Sequence, residues 1–97
     1  MEYIIKPTNE KIVFPSRGYF KVGDKGTSIE IISSFLACNF MGYENKIGVA
    51  IDKMLGDYFG ANLKAWIVFF QKSNGLEPDG NIGEPDIQKL REYGLDA

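Results

Sequence analysis

The chain has no histidine among its 97 residues, and its single cysteine is Cys38. Without histidine it cannot supply a Cys–His pair, a Ser–His–Asp triad or the usual zinc ligand sets. One cysteine also excludes an intrachain disulfide. Because Cys38 stands within an apolar helical run, we expect a buried thiol and not a nucleophile. We expect neither a cofactor nor a metal site.

Clustered positive charge and long apolar runs are also lacking. The eleven basic residues are scattered through a chain of net charge -2, which argues against nucleic acid as a partner. No apolar run approaches the length of a membrane span, and no polybasic face indicates a membrane surface. The first residues, "MEYIIKPTNE", lack the charged and apolar regions of a signal peptide. We therefore expect no membrane partner and no signal peptide on this chain.

What the chain does contain is enough apolar material for one small domain. Hydrophobic residues make up 44% of the sequence and aromatic residues 13%. A core of that composition needs no covalent staple at this length. We expect one domain over residues 18–97, preceded by an extension over residues 1–17.

The extension is richer in β-favouring residues than the rest. The triplets Tyr3-Ile4-Ile5 and Ile12-Val13-Phe14 flank a stretch that contains turn formers. This pattern predicts either a short β-hairpin or an extended linker, and the sequence leaves both open.

Three amphipathic stretches predict helices, and together they indicate an all-α, three-helix orthogonal bundle. The first is "SIEIISSFLACNF", with Ser28 or Thr27 as its N-cap, and the second is "ANLKAWIVFFQKSN", with Asn62 as its N-cap and Gly75 as its C-cap. The third starts near Pro85 and stops at Gly94, with Ile87, Leu90 and Tyr93 facing inward. Between the first two, "VAIDKML" predicts a short extra helix, and "GDYFG" a turn.

The turns and helices together resemble the three-helix, type 1 peptidoglycan-binding domain of bacteria, over residues 18–95. That family has the pattern F-G-P-x-T-x-x-A-V-x-x-F-Q-x-x-x-G-L-x-x-D-G-x-V-G. Matching spacings occur at Phe59-Gly60, Ile67, Phe70-Gln71, Gly75-Leu76, Asp79-Gly80 and Ile82-Gly83. Upstream, Gly23, Asp24, Gly26, Ile29 and Ile32 match the start of its first helix. The sequence departs from the pattern at Gly56-Asp57, Ala61, Leu63 and Trp66, and at Ser33 in place of glutamine.

Two turns form the candidate ligand-binding site. Its candidate residues are Asp57, Tyr58 and Asn62 at the start of the second helix, and Asp79, Asn81 and Ile82 ahead of the third. Tyrosine offers a stacking face with a hydroxyl, and asparagine offers both a donor and an acceptor. The amino end of the third helix would also favour an anion such as a stem-peptide carboxylate. A purely structural role for Asp79 and for Asn81 stays open.

Three other interpretations are weaker. A calcium loop starting at Asp79 would have Gly83, Glu84 and Leu90 at its fifth, sixth and twelfth positions, which are the wrong ligands. Asp57 and Glu84 could form a glycosidase carboxylate pair, but acidic residues near turns are usually caps or surface. Trp66, Val68 and Phe69 could form an aromatic platform for sugar, although we favour burial for all three.

The resemblance implies a non-catalytic cell-wall-binding module that targets a peptidoglycan hydrolase. The amino-acid sequence of the second half is most similar to the wall-binding parts of phage endolysins. Such proteins are made in the host cytoplasm and act at the bacterial cell wall. We expect the catalytic domain to precede residue 1 and the ligand to be peptidoglycan, through its glycan or its stem peptide. The alternative is a protein–protein interaction module that docks a partner or self-associates through the N-terminal strand.

Overall fold

The computed structural model describes residues 11–97, and these form a helical domain. Its five helices are α1 (Thr27–Asn39), α2 (Tyr43–Ile47), α3 (Ile51–Met54), α4 (Ala61–Ser73) and α5 (Glu84–Glu92). The three longer ones are the predicted helices, so the all-α class is confirmed. Their orthogonal crossing stays a prediction. The two short helices, α2 and α3, occupy the insert between the first two predicted helices.

The predicted N-terminal hairpin is not confirmed. Its first strand lies outside the described residues, and residues 11–15 form no regular secondary structure. This segment instead lies against α1, where the Val13 N–H donates to Ser28 Oγ at 2.9 Å. Ile12 and Phe14 pack against the core, and the Phe14 ring stacks on Phe20 with centroids 5.2 Å apart.

Two of the predicted N-caps are wrong. Gly26 occupies the N-cap of α1 and Gly60 that of α4, and neither helix start has a side-chain cap. The Ser28 hydroxyl is used by Val13 instead. Asn62 lies inside the first turn of α4, where its Nδ2 donates to the Lys53 carbonyl at 3.2 Å.

The predicted end of α4 is confirmed. Gly75 has φ of +69°, the left-handed conformation in which a glycine meets no Cβ penalty. The Leu76 N–H donates to the Gln71 carbonyl at 2.9 Å, which is the longer bond of a Schellman C-cap. α5 ends in the same way, with Leu95 N–H bonded to the Leu90 carbonyl at 3.0 Å.

A single apolar core joins the helices to the turns between them. It includes side chains from α1, α3, α4 and α5 and from the two turns. Its largest fully buried members are Trp66, Phe59, Phe70, Ile29, Ile32, Leu36, Leu63, Ile67, Ile82, Ile87 and Leu90. Tyr93, which was predicted to face inward, is 49% exposed, although its ring still contacts Phe70 edge-on. Cys38, predicted to be buried, is only partly buried.

The insert covers the aromatic residues of α4. The Tyr43 ring of α2 contacts Phe69 at a centroid distance of 4.6 Å and Trp66 at 5.5 Å. Trp66 is fully buried and its Nε1–H donates to the Val49 carbonyl at 3.0 Å. The predicted burial is therefore confirmed for Trp66, whereas Phe69 is only partly buried. Neither residue forms an open platform for sugar.

No strand is formed within residues 11–97, where β-pairing is limited to two isolated antiparallel bridges. One joins Phe20 to Ile82 and the other joins Lys25 to Tyr58. The segment before α1 thus contacts both of the turns that the sequence singled out. None of the helices in this part of the chain combines the length and the apolar character that crossing a bilayer requires.

Candidate functional site

The turn before α4 forms one wall of an open pocket of about 310 Å³. Asp57, Tyr58 and Asn62, all assigned to the site from the sequence, line this pocket. Lys53, Met54 and Leu55, at the end of α3, line it as well, together with Gly56, Gly60 and Leu63. The structure therefore brings three of the six candidate residues together, beside a lysine that the sequence analysis did not single out.

Hydrogen bonds from two helices hold this turn in place. Ser33 of α1 is fully buried, and its hydroxyl accepts from Gly56 N–H at 3.1 Å and lies 2.9 Å from the Gly56 carbonyl. The Asn62 side chain joins the start of α4 to the Lys53 carbonyl of α3. Because both bonds connect residues far apart in sequence, they fix the pocket as part of the fold.

Tyr58 is the exposed aromatic residue of the pocket. It is 56% exposed, and its ring lies over Gly60, where an added Cβ would come within 3.2 Å of the ring. The Cδ2–Cε2 edge of the ring therefore lies next to Gly60 at the start of α4, while much of the side chain contacts solvent. An aromatic ring held in this way can pack against a sugar ring or an aliphatic peptide group.

Lys25, in the segment before α1, is paired with Tyr58, in the turn before α4, through an isolated antiparallel bridge. Phe59 N–H donates to the Asp24 carbonyl and Gly26 N–H to the Asp57 carbonyl, both at 2.8 Å. These bonds flank Lys25 and Tyr58 and leave them as a non-hydrogen-bonded antiparallel pair, in which opposed side chains lie close together on one face. From this pairing we expect the Lys25 side chain to emerge on the same face as the Tyr58 side chain.

The segment that carries Lys25 is held by its own charged residues. Asp24 accepts a hydrogen bond from Lys21 N–H at 2.8 Å and forms an ion pair with Arg17. The hydrogen bond from Arg17 lowers the pKa of the Asp24 carboxyl below its ordinary value, with the Lys21 N–H acting in the same direction and partial burial opposing them. This carboxylate therefore stays charged at neutral pH and orders the turn before Lys25.

The second turn is organised around the side chain of Gln71, which is fully buried. Its Oε1 accepts from Gly80 N–H at 3.0 Å, and its Nε2 lies 2.8 Å from the Asn81 carbonyl. The same Nε2 lies 3.1 Å from Asp79 Oδ1 and 3.1 Å from Asp86 Oδ1. One amide thus connects α4, the turn and the first turn of α5.

Asp79 and Asn81 belong to this turn in different ways. Asp79 Oδ1 accepts from the Asn81 N–H at 2.9 Å as well as from Gln71, so one carboxylate oxygen stabilises the turn. Asp79 itself is exposed, and Asn81 is half-buried. The backbone of Asn81 is used by the turn, and no hydrogen bond within residues 11–97 involves its side-chain amide.

Ile82 lies beneath the turn and not on its surface. Its side chain is fully buried, and its backbone exchanges two hydrogen bonds with Phe20, at 2.8 and 2.9 Å. Its side chain is therefore not accessible to a ligand on the surface of the domain.

The amino end of α5 already holds a carboxylate of the protein. Asp86 Oδ2 accepts from Gly83 N–H at 2.8 Å, so the anion expected there from the sequence is Asp86 itself. Burial raises the pKa of the Asp86 carboxyl above its ordinary value, and Asp79 acts in the same direction, while the bonds from Gly83 and Gln71 oppose the change. This arrangement favours the pocket over the α5 end as the place for an external ligand.

The two turns lie on either side of the first turns of α4. Leu63 lines the pocket, and the next residue, Lys64, covers Gly80 with its methylene groups: a Cβ added at Gly80 would lie 2.6 Å from Lys64 Cε. The segment 20–26 also joins Ile82 to Tyr58 through its two bridges. The two turns, the first turns of α4 and the segment 20–26 are therefore connected to one another.

A family model described as "Putative peptidoglycan binding domain" matches residues 36–94, which is more than half of the chain. The chain belongs to this peptidoglycan-binding domain family. No curated protein and no solved structure matches it significantly. The match to the family model confirms the resemblance seen in the sequence.

Within this peptidoglycan-binding domain, the residues that define the sequence pattern are mostly structural. Phe59, Ile67 and Phe70 are core residues, Gln71 is the hydrogen-bond centre, and Gly75 and Gly80 have positive φ. The pattern therefore identifies the fold, and most of its residues are held in the core or in the turn backbone.

The sequence analysis of this peptidoglycan-binding domain did not name Lys25, Lys53 or Asp86, and it used Gln71 only as part of the family pattern. Gln71 and Asp86 are polar residues within amphipathic helices, and their burial is a signal that only the fold makes visible. The two lysines had no local signal, because single lysines at turns are usually solvated surface.

Proposed function

We propose that this chain is a non-catalytic module that binds peptidoglycan and holds a wall hydrolase, of the phage endolysin kind, at the bacterial cell wall. The observation that carries the proposal is the family match over residues 36–94. Tethering of this kind raises the local concentration of an attached enzyme without any chemistry by the module.

The pocket in front of α4 is the binding site in this proposal. Tyr58 provides a stacking surface there, while Asn62 and Asp57 provide polar groups near it. Asp79 and Asn81 extend the site across the second turn, and Ile82 supports that turn from below. A site with one exposed aromatic ring and several polar groups suits a ligand with both apolar faces and amide or hydroxyl groups.

A hydrolase built on two carboxylates has little support. Asp57 lines the pocket, but Glu84 is not among the lining residues. The Glu84 carboxylate instead accepts hydrogen bonds from two other residues of α5, from Gln88 at 2.6 Å and from Arg91 at 3.3 Å. The absence of histidine from the sequence removes histidine-based acid–base arrangements.

The test is sedimentation of the purified chain with insoluble peptidoglycan from a Gram-positive bacterium. We expect the chain to pellet with the peptidoglycan but not with cellulose, an insoluble polysaccharide that lacks peptides and acetamido groups. We also expect no loss of turbidity from the wall suspension when the chain is added alone. Failure to pellet would contradict wall binding, and clearing of the suspension would contradict a non-catalytic role.

A further inference from the structure

The pocket carries more positive charge than a neutral sugar requires. Lys53 is one of its lining residues, and Lys25 is paired with the lining residue Tyr58 through an antiparallel bridge. Both lysines are exposed, and neither forms an ion pair with another residue in the range 11–97. Asp57 supplies one negative charge, so these three groups carry a net charge of +1.

This arrangement distinguishes between the two parts of peptidoglycan. Where its lactyl groups are amide-linked to stem peptides, the glycan strand offers hydroxyl and acetamido groups, which are neutral, whereas the stem peptide carries carboxylates and can carry an amino group. A carboxylate gains from nearby ammonium groups through charge-assisted hydrogen bonds that a hydroxyl makes more weakly. Asp57 can at the same time accept hydrogen bonds from peptide N–H groups or an ammonium.

We propose that the pocket binds the stem peptide of peptidoglycan, with Lys25 and Lys53 as the residues that recognise its carboxylate. The proposal rests on the proposed wall-binding function and specifies which part of the wall is bound. Tyr58 then packs against the apolar surface of the peptide or of the adjoining sugar. The selectivity comes from two lysines that reach the pocket from different segments, α3 and the segment before α1.

Backbone hydrogen bonds fix the position of each lysine. Lys53 is positioned by its own carbonyl, which accepts from Asn62 at the start of α4. Lys25 is positioned by the backbone hydrogen bonds of its two neighbours, because Asp24 bonds to Phe59 and Gly26 bonds to Asp57. Neither position depends on a side-chain contact of the lysine itself, so both side chains can be changed without loss of structure.

The experiment titrates the parent chain with three soluble ligands and follows binding by calorimetry or by NMR. The ligands are a disaccharide-peptide with carboxylates, the same molecule with its carboxylates amidated, and a peptide-free disaccharide of N-acetylglucosamine, which has no carboxylate. We expect the carboxylate form to bind most tightly. Lys25→Gln and Lys53→Gln should each weaken its binding about two- to fivefold, the effect typical of an exposed ion pair, and the double variant should weaken it roughly tenfold.

The matched control is Lys72→Gln, a change of the same type in the last turn of α4. It lies ten residues after Asn62, about 15 Å along the helix, and should leave all three affinities unchanged. The lysine variants should also leave binding of the amidated ligand unchanged. Equal binding of the peptide-free disaccharide and the carboxylate form, or unaltered binding by the double variant, would overturn the proposal.

Failure of this proposal is distinct from failure of the proposed function. If the parent chain pellets with peptidoglycan yet binds the peptide-free disaccharide as tightly as the carboxylate form, the module binds walls through their glycan and the lysine assignment is wrong. If the parent chain does not pellet with peptidoglycan at all, the wall-binding function itself is wrong.

Discussion

Gln71 and Gly80 are joined by a buried hydrogen bond in which the Gly80 N–H donates to Gln71 Oε1 at 3.0 Å. Gly80 has φ of +77°, a left-handed conformation that few other residues adopt without strain. Helix α4 therefore holds the turn through one side chain and one backbone amide. The site-forming turn is attached to the core at this point.

Replacing Gln71 by leucine should destabilise the domain strongly. The variant leaves the Gly80 N–H and the Asp86 carboxylate without their buried partner, for which we expect a loss of about 2–4 kcal/mol in the free energy of unfolding. Urea unfolding followed by circular dichroism measures it. The control is Gln88→Leu on the exposed face of α5, which should change stability by no more than about 0.5 kcal/mol. Equal stability of both variants would contradict the role assigned to Gln71.

The raised pKa of Asp86 predicts a particular pH dependence of stability. Because the folded carboxyl holds its proton more firmly than the unfolded one, whose ordinary pKa is 3.8, the parent chain gains relative stability from Asp86 at low pH. That contribution declines as pH rises from 3.8 through the raised folded-state value. The unfolding free energy of the parent minus that of Asp86→Asn should therefore decrease between about pH 3 and about pH 7. An increase over that range would show that the pKa of Asp86 is lowered.

Gly75 should tolerate no β-branched residue. A Cβ added at Gly75 would meet no atom within 4 Å, so any cost arises from the backbone conformation alone. At φ of +69°, Gly75→Val should lower the free energy of unfolding by more than ~1 kcal/mol, whereas Lys72→Gln nearby should stay within about 0.5 kcal/mol. Thermal melting of the two variants measures the difference. A valine variant that melts with the parent would contradict the C-cap assignment.

Tyr58 and Asn81 should affect binding without affecting the fold. Tyr58 is exposed and Asn81 is half-buried, so Tyr58→Ala and Asn81→Ala should retain the melting temperature while reducing the fraction that pellets with peptidoglycan. Phe70→Ala is the contrasting variant, because truncating this fully buried ring should cost roughly 3–5 kcal/mol and reduce binding only through unfolding. If both surface variants bind walls as well as the parent, recognition lies elsewhere on the domain.

Local features were predictable because their physical causes lie within a few residues. Helical periodicity at three- and four-residue spacing identified α1, α4 and α5, and the C-cap at Gly75 followed from its position after an amphipathic run. The N-caps were predicted less well. Ser28 is a good cap by composition, but its hydroxyl bonds to Val13, fifteen residues away in sequence.

The candidate site was predictable in part. The sequence drew attention to both turns, and the structure places Asp57, Tyr58 and Asn62 around one pocket. Ile82 shows the limit of this approach, because an apolar residue in a turn can face either solvent or the core. Its pairing with Phe20, across more than sixty positions of sequence, decided the question in favour of burial.

The sequence by itself determined the helical class, the family and the absence of histidine-based chemistry, because these depend on composition and on short-range spacing. Only the tertiary structure decided which polar groups share an environment. Gln71 contacts Asp86, Ser33 contacts Gly56, and Lys25 lies beside Tyr58, although 15, 23 and 33 residues separate the members of these pairs. Such pairings arise when the chain folds back to bury its apolar side chains, and the polar groups brought along must then find partners. The charge and shape of the pocket follow from that rearrangement.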